Sequence, residues 1–209
     1  MQTNLPMLQH TLAPDLDSNG GNALTWLAFT LVFVILTGLV YPTVTTLLAG
    51  ALFPNQANGS LIELGGKPVG SSLVGQAFNG QEYFIGRPSS AGKGYDPTSL
   101  SGSNLAVSNP ALRERARAAS DEIATREGVR PEQIPSDLIA ASGSGIDPHI
   151  SPAAAALQVA RVAKARGLGQ DRVRELVQRA TLAPSFAVLG QARVNVLELN
   201  LALDAAQKP

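Results

Sequence analysis

The stretch SGSGIDPHISP, residues 142 to 152, gathers Ser142, Ser144, Ser151, Asp147 and His149 on one short piece of chain. Those are the side chains of nucleophilic hydrolysis, in which a hydroxyl attacks, an imidazole takes its proton and a carboxylate orients the imidazole. An exported hydrolase would use Ser144 or Ser151 as nucleophile, His149 as base and Asp147 as orienting group. The local pattern argues against it. Ser151 followed by Pro152 reads as a helix start, where the serine oxygen accepts from orphan amides and proline fills the first turn. The Gly-x-Ser-x-Gly elbow fails, because Ala140 stands two places before Ser142, and Ser142 two places before Ser144. Neighbours on one short loop seldom converge on a common atom, so the stretch reads as a structural or docking loop.

Two further stretches resemble phosphate sites. SSAGKGYD, residues 89 to 96, lacks the first glycine of a phosphate loop, and Gly94 stands where a Ser or Thr would hold magnesium. LSGSN, residues 100 to 104, is reminiscent of the Leu-Ser-Gly-Gly-Gln signature of ABC-type ATPases, with Ser103 and Asn104 replacing its last two letters. An ordinary Ser/Asx turn accounts for it. Arg87, within YFIGRPSS, has Gly, Pro and apolar neighbours that would hold its guanidinium for a bidentate contact or an internal brace. Gln158 and Arg161, three residues apart, are expected on the exposed side of a helix, where they could meet a partner's carbonyls or carboxylates.

Composition narrows the function classes. Lys+Arg and Asp+Glu are both 16, so nothing points to a nucleic-acid partner or an acidic-substrate funnel. Only Asp15 and Asp17 precede Glu63, and the first basic residue is Lys67, which leaves everything from Glu63 onward at +2. There is no cysteine, hence no disulfide, thiol chemistry or iron-sulfur cluster. The two histidines, His10 and His149, lie on opposite sides of an apolar segment, so no transition-metal site and no cofactor of the chain's own is expected.

That segment, Ala23 to Phe53, runs 31 residues without a charge, where about 20 suffice to cross a bilayer. Trp26 and Tyr41 are placed to anchor at the two interfaces, about 22 Å apart at helical rise, and Pro42 should end or kink the helix. Ala49-Gly50-Ala51 offers a signal-cleavage site, but the run is longer than a signal's core and no Lys or Arg precedes it. The positive-inside rule is close to silent here. The expected division is a short tail at 1–22, a transmembrane helix and its exit at 23–53, and a domain at 54–209.

In that domain two extended runs flank Gly65-Gly66 as a hairpin. Asn79 to Pro110 is a Gly/Ser/Asn/Pro-rich loop, too polar for core elements. Three amphipathic helices follow. The first runs from Asn109-Pro110 to about Gly128, with Leu112, Ala116, Ala119 and Ile123 on one face. The second runs from Ser151-Pro152 to Gly167, with Ala156, Val159, Ala160 and Ala163 inward. The third runs from about Gln170 to Thr181, burying Val173, Leu176, Val177 and Ala180. RVNVLELNLALD is expected as a strand, with Leu197, Leu199, Leu201 and Leu203 on one face, Glu198 and Asn200 on the other and a bulge near Leu197. The fold class is α+β: one membrane helix, then a mixed domain of about three helices and a small sheet.

Four segments in order, FNGQEYFIGRPSS, GYDPTSLSGSNLAVSNPAL, SGSGIDPHISPAAAALQVARVAKARG and RVNVLELNLALD, resemble the motifs of the KdpC family, one of the components of the bacterial Kdp potassium-transporting P-type ATPase. The resemblance covers Ala23 to Asp204. It implies a non-catalytic accessory protein in a membrane heterotetramer, in which the channel-like KdpA binds potassium, KdpB hydrolyses ATP and the small KdpF helps hold them together. It implies a single span in the cytoplasmic membrane, amino terminus inside and domain outside, against KdpA. The chain has neither the Asp-Lys-Thr-Gly-Thr phosphorylation motif nor a potassium filter. The family is also described as a catalytic chaperone that raises ATP affinity, with Ser101, Gly102, Ser103 and Asn104 as the implied nucleotide contacts. An outward domain puts those residues a bilayer away from cytoplasmic ATP, so such an effect would be allosteric. Tyr83, Phe84, Arg87, Asp147, His149, Gln158 and Arg161 are the candidates for partner contacts or for bracing the contact loops.

Overall fold

A computed structural model describes residues 22–207 and divides the chain into two compact units after Ala57. His10 and the rest of the tail before Asn22 lie outside the described residues.

The first unit is dominated by one apolar helix, Ala23–Leu52, of 30 residues. The Asn22 side chain caps it by accepting from the Thr25 amide. It is built as α1 (Ala23–Ile35), a π-helical turn (Leu36–Val40) and α2 (Tyr41–Leu52). Pro42 does not end it. Proline lacks the N–H that would close a helical turn, and the wider turn just before it sends the Tyr41 amide back to the Leu36 carbonyl. The Thr37 and Thr45 hydroxyls fold back onto the carbonyls of Phe33 and Tyr41, which satisfies both of these donors within the helix. None of its residues is buried. A helix apolar all round with none of its residues buried is stable where its surroundings are hydrocarbon; this one is long and apolar enough to span a bilayer. A four-residue turn of helix, α3 (Pro54–Ala57), closes the unit.

The second unit opens with the expected hairpin, β1 (Leu61–Leu64) and β2 (Lys67–Ser71), antiparallel around Gly65-Gly66 and bulged between Ile62 and Glu63. Residues 79–109 form no helix or strand. Then come α4 (Pro110–Glu127), capped by the Asn109 side chain and ended by Gly128 in the left-handed region, and two 3-10 turns at Pro131–Gln133 and Ser136–Leu138. Strand β3 (His149–Ile150) leads into α5 (Pro152–Arg166), and α6 (Gln170–Arg179) follows. Strands β4 (Thr181–Leu182) and β5 (Arg193–Asn195) complete a second sheet in the antiparallel order β3-β5-β4, and α7 (Val196–Ala206) ends the described chain. The core lies where α5, α6 and α7 meet this sheet, around Val159, Val162, Val173, Val194, Leu199 and Leu203. The α+β class holds.

Three expectations fail. RVNVLELNLALD is a strand only through Asn195, whose side chain caps α7 by accepting from the Glu198 amide. Beyond it Val196, Leu199, Asn200 and Leu203 are buried, the i, i+3, i+4, i+7 rhythm of a helix. The alternating leucines mimic a strand only if Asn200 is assumed to face out. In α5 the buried stripe is turned: Ala156 and Ala160 are exposed, whereas Gln158 is fully buried and Arg161 is largely covered. The polar loop also contributes to the core, since Phe84 is fully buried.

Candidate functional site

Two of the buried polar side chains, Asn200 and Gln158, hold a backbone that has no strand partner. Phe84 and Ile85 carry two N–H and two C=O groups into the interior, and a buried unpaired backbone group is expensive. Asn200 on α7 accepts from the Phe84 amide and donates to the Phe84 carbonyl, both at 2.9 Å. Gln158 on α5 does the same for Ile85, accepting at 2.8 Å and donating at 3.2 Å. A carboxamide reproduces the donor-acceptor pair of a peptide bond. Two side chains therefore stand in for the neighbouring strands, and the segment is fixed between two helices.

Next to this clamp, Arg161 on α5 spreads its guanidinium over the same segment. Its Nε donates to Glu127 at 2.8 Å, Nη1 to the carbonyls of Gln81 and Tyr83, and Nη2 to Gln158. Arg161 and Glu127 form a buried ion pair, with side chains 7% and 1% exposed. At the end of the same helix, Arg166 donates to Glu82 O, to Gln207 and to Asp204, and lies 4.9 Å over the Tyr83 ring. Arg166, Glu127, Asn200 and Asp204 were missed from sequence. The usable signal was an isolated Asn or Arg at the core phase of an apolar helix.

The opening stretch belongs to a second brace. Arg87 Nη1 meets Asp147 at 3.0 Å, and Nη2 reaches the carbonyls of Ala140 and Ala141 at 3.4 Å. Asp147 also accepts the His149 amide, with the His149 ring nitrogen 3.5 Å away. The two loops are tied further by Ser89 Oγ donating to Gly145 O and by the Ser142 amide donating to Pro88 O. Gly145 has φ +78, and a Cβ there would come within 2.6 Å of Ala91 Cβ, so the contact tolerates only glycine. The hydroxyls that could attack are engaged elsewhere. Ser151 Oγ donates to Asp137 and accepts from the Ala154 amide as a helix cap, while Ser144 accepts from Ile146.

Burial raises the Asp147 pKa, but the His149 and Arg87 hydrogen bonds and the Arg87 charge outweigh it and hold the carboxyl down at about 2. A depressed acid stabilises the fold fully above its unfolded value, near 3.9, and that contribution is lost as pH falls through the folded value. Acid titration of the full-length chain should therefore show about 1–2 kcal/mol of stability disappearing between roughly pH 4 and 2, after allowance for solvent screening. In Asp147→Asn that acid step should be absent from the unfolding free energy; an unchanged step would refute the assignment.

Tyr95 packs against the same brace. Its hydroxyl donates to the Arg87 carbonyl, and burial, with help from Asp147 and against Arg87, pushes its pKa up to about 12. Arg87, Tyr95 and Arg126 border a cleft of about 200 Å³ beside Ile123 and Leu138. Arg126 donates from Nη2 to Gly80 O and lies below its ordinary pKa, through burial first and the neighbouring Arg161 second.

Ser101 to Asn104 lie on irregular chain well before α4, so no helix start is present to supply phosphate-binding amides. Ser101 Oγ donates to Gly102 O, Asn104 takes φ +50, and a Cβ on Gly102 would fall 2.8 Å from the Gly143 carbonyl. This stretch is seated on the 142–145 loop.

The described residues thus define a small α+β domain joined to one bilayer-length apolar helix, its polar centre spent on holding loops in place. The family model "K+-transporting ATPase, c chain" (KdpC) matches residues 23–205, and the chain belongs to that family. It is 51% identical over 187 residues to the "Potassium-transporting ATPase KdpC subunit" of Shewanella putrefaciens, covering 90% of this chain and 93% of that one. Proteins of the same name from Xanthomonas oryzae pv. oryzae and Caldanaerobacter subterraneus are 54% and 50% identical, over 81% and 84% of this chain and 80% and 90% of theirs.

Proposed function

We propose that this chain is the accessory, KdpC-type component of an ATP-driven potassium uptake pump. One span anchors it in the cytoplasmic membrane with the amino terminus inside, and its outer domain, 54–209, docks on the channel-like KdpA within a complex that also holds KdpB and KdpF. The observation that carries this reading is the double brace. Gln158, Asn200, Arg161 and Arg166 fix residues 81–85, and Arg87 with Asp147 and His149 fixes the 142–151 loop against residues 87–91. Fixed loops present a preorganised surface, which lowers the ordering cost of association. Their guanidinium groups are committed to this chain's own carbonyls and carboxylates, an arrangement for assembly rather than for turnover.

ATP enters through the complex. Any rise in the nucleotide affinity of KdpB is a coupling across the membrane, with Ser101, Gly102, Ser103 and Asn104 contributing surface and not phosphate contacts. Detergent co-purification of the tagged full-length chain from its native host at low potassium tests the reading. Recovery of a P-type ATPase and a channel-like potassium-binding protein is expected. Recovery of neither, or a chain shortened by cleavage after Ala51, would sink it.

A further inference from the structure

From Ala180, just before β4, to Ala192, just before β5, the chain runs without a charged residue. Its middle is a finger: Ser185 and Leu189 pair through two backbone hydrogen bonds, and the Val188 amide donates to Ser185 O across the tip. The two central residues of that four-residue turn, Phe186 and Ala187, have φ +53 and +62. These are the φ signs of a type I′ turn, whose preferred residues are Asn-Gly because a Cβ is disfavoured in the left-handed region. The same tip exposes Phe186, Val188 and Leu189 at 90%, 78% and 60%.

Two features unfavourable to the free domain, backbone strain and exposed apolar side chains, therefore coincide on five residues. Strain of this kind persists where it is part of a function. Aromatic residues, phenylalanine among them, are enriched at the cores of protein interfaces. Lipid insertion fits less well. Membrane-binding segments couple their apolar residues to basic ones that meet anionic headgroups, whereas no charge lies within this segment; of the two arginines that flank it, Arg179 is engaged by Glu175 and Arg193 sits half-buried in β5, opposite Leu182 in the sheet. We infer that the 185–189 finger is the hydrophobic anchor by which this domain docks, inserting Phe186 into an uncharged apolar pocket on the outer surface of another pump component. This rests on the pump-component reading above and names its contact.

The test exploits opposite signs. In the full-length chain, Phe186→Asn with Ala187→Gly supplies the residues the turn prefers. It should raise the melting temperature of the isolated chain by roughly 2–4 °C while lowering recovery of the pump's other components roughly tenfold or more. Unchanged recovery would overturn the finger as anchor. So would lost recovery accompanied by a lower melting temperature, since the tip would then be part of the domain's own fold. Wild-type chain recovering no partner would overturn the pump assignment, and the finger with it. For the lipid alternative, Phe186→Trp is placed in Trp26→Phe, which leaves one tryptophan, and the chain is held in nanodiscs of brominated phosphatidylcholine and phosphatidylglycerol. No quenching in the unassembled chain and a blue shift on assembly are expected; quenching without partners would assign the finger to the bilayer and overturn the proposal.

Discussion

Replacing Arg161 with methionine should destabilise the domain by about 3–5 kcal/mol, the range found when one partner of a buried ion pair is removed. The substitution keeps most of the side-chain volume, so the loss isolates the guanidinium. Glu127 would remain with its side chain 1% exposed, and its Oε2 is buried without a hydrogen-bond partner even in the intact protein. The carbonyls of Gln81 and Tyr83 lose their donor at the same time. Denaturant unfolding of the full-length chain in detergent measures the effect, with circular dichroism as the readout. Adding Glu127→Leu should recover part of the loss, because an apolar replacement of both partners strands no charge. A single variant within about 1 kcal/mol of wild type, the scale of an exposed pair, would show that the ion pair is not holding α4, α5 and the 81–83 segment together.

The second large effect belongs to Asn200. Its replacement by leucine is nearly isosteric and strands both the amide and the carbonyl of Phe84 in the core, at about 1–3 kcal/mol for each unsatisfied group. The expected loss is therefore about 2–6 kcal/mol. Hydrogen exchange resolves how it is lost: the Phe84 and Ile85 amides should become exchangeable before the rest of the core opens. Gln158→Leu should release the same segment from its other side. Because either change frees a common stretch of backbone, the double variant should fall short of the sum. Full additivity, or unaltered protection of Phe84 in Asn200→Leu, would mean that the two amides are not acting as one clamp.

Both effects bear on assembly, because the braced residues 81–91 and 142–151 are where the proposed docking surface is held. A variant that loosens them should lower complex yield even where the chain itself still folds.

The elements legible in the sequence are those defined by local chemistry. Asn109-Pro110, Ser151-Pro152, Gly128 and Gly167 mark helix ends by capping rules that need no tertiary partner, and the structure starts and stops α4 and α5 there. The hairpin followed from Gly65-Gly66, and the apolar helix from its uncharged length. Motif order was enough to place the chain in its family, because four segments in sequence are specific however they fold.

What only the tertiary structure decided is the direction in which polar side chains point. Hydrophobic periodicity assumes that polar means outward, so Gln158 and Arg161 were placed on the solvent side of α5, and Asn200 on the outer face of a strand. In the fold they turn inward, since a stretch of backbone without a strand partner enters the core beside them, and its amides and carbonyls must be satisfied by whatever side chains can reach. That need arises from Phe84 and Ile85, more than 70 residues from Gln158 and more than 110 from Asn200 in the chain. Capping is written within a few residues and can be read there; satisfaction of a buried backbone is a contract between distant segments, and it exists only once they have met.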